Sequence, residues 1–288
     1  MILQREITAI AANAGVSKTT IDKDWVLGHF IDAIFSVKEL KEVLIFKGGT
    51  CLKKCYFPDY RFSEDLDFTA TDQQFMLTVD QFNTVVALVV ERTGMACQIV
   101  SFRDLIFNDV KTGYEIIVKY WGADHQFNSA VPPLDRWQTS IKIEIILYEL
   151  LLFEPVKKRM IHSYSDDLSE NALSIPCYSL EEVMAEKIRA LVQRRYTAPR
   201  DYYDIWYLST HYKELSNSKI VEAFHKKMAY KNLEFSGIDQ LINPKNERIL
   251  KLNWQNSLGH QIPKDKLADY VIVIAEVQRY FEEIFSSK

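Results

Sequence analysis

Apolar residues near the N-terminus recur at intervals of three and four, which is the period of an amphipathic helix. One apolar stripe runs over residues 7–14 and a second over residues 25–34, with Gly15, Val16 and Ser17 between them. We therefore predict two short helices joined by a turn. Such a pair could read DNA as a helix-turn-helix, but no basic residues cluster on the second helix, so two packing helices are favoured.

Between residues 43 and 150 the pattern changes to short runs in which apolar and polar residues alternate, as they do in half-buried strands. The candidate strands cover residues 43–46, 64–69, 97–103, 114–120 and 139–148. A helical stripe over residues 78–93 ends at Gly94, a residue type that commonly closes helices. The polar segment 121–137, with two adjacent prolines, predicts a loop.

Helical spacing returns after residue 150. Ser179 and Glu182 have the spacing of a capping box and predict a helix that extends through Arg195. Further helices are predicted over residues 199–212, 218–230 and 265–286. A polar stretch over residues 163–174 separates the strand-rich part of the sequence from the helical part. We therefore expect one domain over 1–165, with N-terminal helices and an α/β core. A helical lobe should follow over 166–288.

Composition is that of an ordinary globular protein: the 288 residues are 48% hydrophobic and 26% charged. The net charge of -4 provides no global basic field, so any contact with nucleic acid must rest on a local patch. No apolar run approaches the roughly 18 residues of a membrane span, and no signal peptide is visible. The four cysteines lack CxxC spacing, and we interpret them as reduced thiols of a cytoplasmic protein, neither zinc ligands nor disulfides.

Two aspartates two residues apart stand in the second predicted strand. Asp65 and Asp67 point to one face together with Ser63, whereas Leu66 and Phe68 point to the other. Carboxylates this close repel each other unless a divalent cation lies between them, and Mg²⁺ prefers such hard oxygen ligands together with substrate phosphates. The alternative is an exposed, solvated strand face.

A third carboxylate stands in the run SIKIEIILYELL. Glu144 and Lys142 share its polar face, and a Glu within a long apolar strand is unfavourable unless it is paired or ligated. If this strand lies beside the first, Glu144 completes a three-carboxylate metal site. The alternative is a salt bridge between Glu144 and Lys142 or another basic residue.

Gly48 and Gly49 follow the first predicted strand and precede a helix-like segment that begins with Thr50. Glycines at this position allow the backbone to approach a phosphate, and the helix start offers free N–H groups. Neither a Rossmann nor a Walker motif is present. A tight turn without a ligand is the alternative.

One lysine of the helical lobe falls on an apolar helix face. Lys187 is unfavourable there unless it meets an anion such as a nucleotide phosphate, or extends to the edge of the stripe. Asp201 and Asp204 share one face of the next helix. A basic cluster nearby could steer a polyanion or be a solvated surface; its members are Arg189, Arg194, Arg195 and Arg200.

Taken together, these segments resemble a known family. Residues 46–69, FKGGTCLKKCYFPDYRFSEDLDFT, resemble the GG[ST]-x-L…R-x-S-x-D-h-D-h signature (h is apolar) of the AbiEii-type nucleotidyltransferases, the toxins of type IV toxin–antitoxin and abortive-infection systems. Residues 185–208, AEKIRALVQRRYTAPRDYYDIWYL, are similar to that family's second signature, A-E-K-h-x-A-L…R-x-x-x-R-D-h-x-D-h. IDKDW, residues 21–25, resembles its Lys-Asp-Tyr/Trp stretch.

The resemblance implies membership of the polymerase-β-like nucleotidyltransferase superfamily. It implies an α+β, bilobed fold with a nucleotidyltransferase-like mixed sheet flanked by helices and an all-helical C-terminal lobe. It also implies Mg²⁺-dependent transfer of a nucleoside monophosphate from an NTP, with pyrophosphate as the leaving product. Characterised members act on RNA, notably tRNA 3′ ends, and a cognate antitoxin is a further expected partner.

The resemblance also assigns expected roles to residues. Gly48, Gly49 and Thr50 would hold phosphate, with Ser63 lining the same site. Asp65 and Asp67 would bind the metal. Glu144, where the superfamily usually has Asp, would either complete the metal site or activate the acceptor hydroxyl. Lys187 would contact NTP phosphates, and Asp201 and Asp204 match an Arg-Asp-x-x-Asp motif, expected at the nucleotide and in catalysis respectively. A small-molecule or protein acceptor, or a non-catalytic NTP-binding module, are the alternatives.

Overall fold

The computed structural model describes residues 2–126, 130–263 and 265–286, which form an α+β fold. The chain divides into two compact units, one of Met1–Glu149 with Pro155–Cys177 and one of Leu150–Glu154 with Tyr178–Lys288. Within the part of the chain described, no helix has both the length and the apolar character that a membrane span requires.

The elements of the first unit come from both of its chain segments. Its helices are α1 (Gln4–Ala14), α2 (Lys18–Ile34), α3 (Lys38–Lys41), α4 (Gly48–Cys51) and α5 (Val79–Thr93), with a π-helical turn Leu52–Tyr56 directly after α4. Its strands are β1 (Leu44–Lys47), β2 (Asp65–Ala70), β3 (Ala96–Phe107), β4 (Val110–Trp121), β5 (Ser140–Ile146), β6 (Val156–Lys158) and β7 (Ile175–Cys177). Short 3₁₀ turns cover Leu134–Arg136 and Glu170–Leu173.

The second unit is helical in its described residues. Its helices are α6 (Leu180–Gln193), α7 (Pro199–His211), α8 (Asn217–Tyr230), α9 (Pro244–Leu258) and α10 (Tyr270–Ser286), and a 3₁₀ turn covers Ile238–Gln240. The pattern missed α9, because only Leu250, Trp254 and Leu258 of this otherwise polar helix are buried. The sequence nevertheless contains a signal for its start, since the Asn243 side chain caps the helix and Pro244 occupies its first turn.

The two N-terminal helices follow the predicted pattern. Gly15 closes α1 with a left-handed φ of 64°, and the Ser17 hydroxyl caps α2 by accepting a hydrogen bond from the Thr20 N–H at 3.1 Å. Most of α2 is buried, including Trp25 and Phe30. A recognition helix needs a free face for the DNA groove, so the packing interpretation is supported and the DNA-reading one is not.

Within the described residues, seven strands form one mixed sheet in the order β3-β4-β5-β2-β1-β7-β6. Neighbours are antiparallel except for the parallel pairs β2–β5 and β1–β7. All five predicted strands are present. The pattern missed β6 and β7 because three-residue strands are too short to show a period. Of the loop predicted over 121–137, residues 127–129 lie outside the described part of the chain.

The core of the first unit lies on one face of this sheet. Leu66 and Phe68 of β2 and Ile143 of β5 are fully buried there and pack in one cluster with Trp25 and Phe82 of the covering helices. Burying each such side chain contributes about 1.5–3 kcal/mol. The alternating residues of β2 and β5 therefore point away from this core.

Asp166, in the polar stretch 163–174, is tied to helix α2. Its carboxylate accepts hydrogen bonds from Trp25 Nε1 at 3.0 Å, His29 Nε2 at 3.1 Å and His162 Nε2 at 3.0 Å. Burial alone would raise the pKa of Asp166, but the hydrogen bonds from His162 and His29, the charge of His29 and the Trp25 bond hold it well below its usual range. The stretch thus belongs to the first unit.

A buried ion pair organises the start of the second unit. The Ser179 hydroxyl caps α6, as the predicted capping box requires. The Glu182 carboxylate, however, pairs with Lys227 at 2.5 Å and accepts the N–H groups of Leu152 and Phe153, each at 2.9 Å. These bonds explain why the segment Leu150–Glu154 belongs to the helical unit.

Candidate active site

Strand β2 presents its two aspartates on the face opposite the core. Leu66 and Phe68 are fully buried, whereas the Asp65 side chain is 34% exposed and Asp67 is half-buried. Ser63 precedes the strand, and its hydroxyl lies 3.1 Å from the position that a Cβ on Gly49 would occupy. The alternation expected from the sequence therefore sets two carboxylates at the surface of the sheet.

The third carboxylate comes from β5, which lies beside β2 as expected. The register pairs Asp67 with Glu144 and Asp65 with Lys142. Lys142 Nζ lies 2.9 Å from a Glu144 oxygen and 3.9 Å from an Asp65 oxygen. The salt bridge between Lys142 and Glu144 that the sequence left as an alternative is thus present, in the midst of the carboxylates.

Lys142 is held in its charged form by these neighbours. Burial alone would lower its pKa, but the hydrogen bond with Glu144 and the negative charges of Asp65, Glu144 and Asp67 together raise it. A lysine that stays protonated moderates the repulsion among three carboxylates. The face is therefore stable without a bound ion while keeping an acidic excess around Lys142.

The register extends this acidic centre into a charged row across five strands. Lys47 pairs with Asp67, Asp67 with Glu144, Glu144 with Glu115, and Glu115 with Arg103. Directly opposed residues share a face, so three carboxylates lie in line between two cations. Sequence analysis missed Lys47, Glu115 and Arg103, because only the strand order places them beside Asp67 and Glu144.

The carboxylates share a face without converging on one point. The described groups of three whose ligand atoms all lie within 4.8 Å of one another are Cys51, Cys55 and Cys177, and His29, His162 and Asp166. Asp65, Asp67 and Glu144 do not form such a group among the described residues. Oxygen donors on one half-exposed face are of the kind that a hard divalent cation takes.

The glycine turn contacts this acidic face directly. Gly48 has a φ of +80°, and a Cβ added to it would lie 2.3 Å from the Asp67 carboxylate. A Cβ on Gly49 would lie 2.7 Å from the guanidinium of Arg61, a buried residue. The positive φ favours glycine at position 48, whereas a side chain at position 49 would have to displace the end of the Arg61 side chain. Arg61 belongs to the first signature, but sequence analysis gave it no role.

Thr50 ties the turn to β2. Its side chain is buried, and its hydroxyl donates a hydrogen bond to the Asp65 carbonyl at 2.5 Å. The hydroxyl hydrogen is therefore committed to the backbone, and the oxygen faces the strand that carries the aspartates. This bond fixes the turn relative to β2, so a displacement of the turn would also displace β2.

The remaining predicted residues form a separate cluster in the helical unit. Lys187 Nζ on α6 lies 2.8 Å from a carboxylate oxygen of Asp201 and 2.8 Å from one of Asp204, both on α7. Arg194 also pairs with Asp201. Both aspartates are buried and the lysine side chain is 16% exposed. Lys187 thus lies on the inward side, as expected, and the anions it meets here are these two aspartates.

A cavity of about 270 Å³ adjoins this cluster within the helical unit. Its lining includes Arg194, Arg195, Tyr196, Asp201 and Lys245. Two members of the basic cluster therefore face an opening, whereas the Arg189 side chain is buried and pairs with Gln193. Sequence analysis missed Lys245, which α9 carries, because that helix was not predicted.

Comparisons with known proteins identify a family and a fold. The sequence model of the family described as nucleotidyl transferase AbiEii toxin, type IV TA system, matches residues 29–286. A comparison with curated protein sequences returned no significant match.

Solved structures with the same fold include two bacterial proteins. MenT4, a nucleotidyltransferase toxin of Mycobacterium tuberculosis H37Rv, superposes with a TM-score of 0.61 at 17% identity, covering 100% of this chain and 91% of that one. JHP933 of Helicobacter pylori superposes with a TM-score of 0.55 at 15% identity, covering 94% of each chain. At these identities the likeness establishes the fold alone. Because the family match spans most of the sequence, the chain belongs to the AbiEii nucleotidyltransferase toxin family and is a nucleotidyltransferase.

Proposed function

We propose that this chain transfers a nucleoside monophosphate from an NTP to an RNA hydroxyl, at the 3′ end of tRNA, in a Mg²⁺-dependent reaction. In this proposal it acts in the cytoplasm as a growth-inhibiting toxin, and a cognate antitoxin opposes it. The observation that carries the proposal is the half-exposed face on which Asp65, Asp67 and Glu144 lie beside the Gly48 turn.

Asp65, Asp67 and Glu144 would hold the Mg²⁺ ion in this proposal. Their oxygens are the hard donors that Mg²⁺ takes together with substrate phosphates. When bound, the ion neutralises charge that develops on the transferred phosphoryl group. Lys142 moderates the repulsion among the carboxylates while no cation is present, since it pairs with Glu144 and lies near Asp65.

The glycine turn would take the phosphates of the NTP. Without side chains at Gly48 and Gly49, the backbone can approach an anion closely, and the turn already touches Asp67. Ser63 lies next to Gly49 and would line the same pocket. Thr50, expected to hold phosphate, would act instead by fixing the turn against β2, because its hydroxyl hydrogen is already donated to the Asp65 carbonyl.

Lys187 would contact NTP phosphates, as the family resemblance implies. Asp201 and Asp204 hold its ammonium in place, each through a carboxylate oxygen 2.8 Å from Nζ. An incoming phosphate would share this ammonium with the aspartates. Asp204 is therefore proposed as a residue that acts through Lys187.

An RNA acceptor is supported by a local basic patch on a chain with a net charge of -4. Arg194, Arg195 and Lys245 line the cavity of the helical unit together with Tyr196, which is 66% exposed. Cations that follow a phosphate backbone, next to an aromatic ring on which a base can stack, are typical of single-stranded RNA sites. The unpaired 3′ end of a tRNA suits such a patch.

The test is a transfer assay with labelled NTPs supplied one at a time, Mg²⁺ and total tRNA. The wild-type protein should label tRNA, and Asp67→Asn should lower the rate at least about a hundredfold, because a metal ligand is lost. Asp104→Asn is the matched control: the same change on strand β3, at a residue that pairs with Lys111, should leave the rate unchanged.

Three results would each contradict a part of the proposal. If the Asp67→Asn variant transfers label at the wild-type rate, the carboxylates of β2 and β5 do not take part in the reaction. If the label enters proteins or small-molecule hydroxyls but not tRNA, the chain is still a nucleotidyltransferase, but its acceptor is not tRNA. Growth arrest by the Asp67→Asn variant at wild-type expression would separate toxicity from transfer.

A further inference from the structure

Three of the four cysteines, all of them in the described residues, meet inside the first unit. Cys51, Cys55 and Cys177 are buried, and their sulfur atoms all lie within 4.8 Å of one another. Cys97, on β3, is free and only partly buried. From the sequence the cysteines were interpreted as not being zinc ligands, because the third member of this group is far along the chain and arrives only through the pairing of β7 with β1.

Local geometry brings the first two thiols together. Cys51 ends α4 and Cys55 lies four residues later in the π-helical turn, so both project from the same side of one helical segment. π-Turns widen a helix locally and frequently occur at functional sites. Cys177 then closes the group from β7, where the register places it against Phe46. Two independent chain segments thus supply one sulfur cluster.

One basic residue can offset negative charge at this position. Lys54, next to Cys55 in the chain, pairs with Asp24 at 2.5 Å, so that pair is neutral as a whole. Lys158 lies on β6, the strand that pairs with β7, and adds one positive charge on the side of Cys177.

We propose that Cys51, Cys55 and Cys177 bind one thiophilic metal ion, with Zn²⁺ as the ion whose charge fits best. Three thiolates with Zn²⁺ carry one net negative charge, which Lys158 offsets. Three sulfurs bound to Zn²⁺ at about 2.3 Å in tetrahedral geometry lie about 3.8 Å apart, so the group needs to contract only slightly. Soft sulfur ligands distinguish this site from the oxygen-lined face proposed for Mg²⁺.

The site adjoins the glycine turn through the chain itself. Cys51 is the last residue of the short helix that begins at Gly48, and Thr50 before it bonds to the Asp65 carbonyl. An ion that links Cys51 to β7 would therefore fix the turn proposed to hold phosphate. Zinc sites with three protein ligands keep an open fourth position, so binding should be weaker than at a four-cysteine site.

The test uses the full-length reduced protein, stripped of metal and titrated with Zn²⁺ or with Cd²⁺ as a spectroscopic probe. Native mass spectrometry should find one ion per chain, and Cd²⁺ should produce an ultraviolet thiolate charge-transfer band. Cys55→Ser and Cys177→Ser should each weaken binding at least about tenfold, the lower end of the loss seen even when outer-shell partners of a metal are removed. Cys97→Ser should bind as the wild type does.

Wild-type protein alone can overturn the proposal. If it takes up neither ion, or takes up Cd²⁺ without the charge-transfer band, the cysteines are only core residues. Equal loss in Cys97→Ser would point to nonspecific thiol binding. Since no readout depends on nucleotidyl transfer, the outcome is independent of whether the proposed RNA reaction is correct.

Discussion

Two acidic clusters of this protein contain similar residues in opposite settings. On the sheet of the first unit, Asp65, Asp67 and Glu144 surround Lys142, and these side chains are partly open to solvent. In the helical unit, Asp201 and Asp204 face Lys187 and Arg194, and both aspartates are buried.

The difference in exposure gives carboxylates and cations a structural role in one cluster and leaves them accessible to a ligand in the other. The buried cluster has two negative and two positive charges, so it is balanced and holds α6 and α7 together. The open face keeps an excess of carboxylates near water, where a cation can reach them. A balanced buried pair is expensive to break, whereas an acidic excess is relieved when a carboxylate is removed.

The largest expected effect breaks the buried cluster. Asp204→Ala leaves Lys187 with one of its two carboxylates, so the free energy of unfolding should fall by about 3–5 kcal/mol. Urea unfolding measured by circular dichroism checks this. Glu222→Ala is the matched control, because its pair with Lys226 is exposed and screened by solvent, so its loss should change the free energy of unfolding far less. A loss no larger than the control's would mean that burial does not distinguish the clusters.

A buried carboxylate in the first unit tests whether burial, rather than the unit in which a carboxylate lies, determines its effect on stability. Burial raises the pKa of Asp22 to about 6 from the usual 3.8, despite hydrogen bonds from the Ala123 and Asp124 N–H groups. The folded state therefore holds the proton more tightly, and stability present below about pH 4 is lost as the pH rises through 6.

Asp22→Asn, which retains the acceptor oxygen, should remove that dependence and stabilise the protein at pH 7.5 by on the order of 2–3 kcal/mol. Thermal unfolding between pH 4.5 and 7.5 measures it. A variant whose stability changes with pH as steeply as the wild type's would show that Asp22 is ionised without penalty.

Gly48→Ala tests the close contact between the glycine turn and the open face. Its Cβ would lie 2.3 Å from the Asp67 carboxylate at a φ of +80°, so we expect a loss of about 1–2 kcal/mol in stability and displacement of Asp67. The transfer assay should register this as a loss of activity. Gly237→Ala isolates the backbone effect, since its φ is +134° but no atom lies within 4 Å of the new Cβ.

The smallest expected effect has the opposite sign to the first. Asp67→Asn removes one charge from an acidic row, so stability without Mg²⁺ should stay the same or rise by up to about 1 kcal/mol. Urea unfolding in EDTA measures this. A loss comparable to that of Asp204→Ala would show that Asp67 is a structural partner of Lys47 rather than part of an open site.

Local pattern was enough to predict much of this fold. Gly15 and Gly94 end helices in the structure where the sequence placed those ends. They could be predicted because caps act on neighbouring backbone groups. The strands β6 and β7 and the polar helix α9 could not, because their burial depends on what they pack against.

The candidate site also has a part that local sequence predicts and a part that it does not. Alternation along β2 determined by itself that Asp65 and Asp67 share a face, since side chains of a strand point to opposite faces in turn. Only the tertiary structure decided that Glu144 and Glu115 stand in line with Asp67, that Lys187 meets Asp201 and Asp204, and that Cys177 joins Cys51 and Cys55. These contacts join residues far apart in the chain, and strand order, register and helix packing, which local sequence does not encode, bring them together.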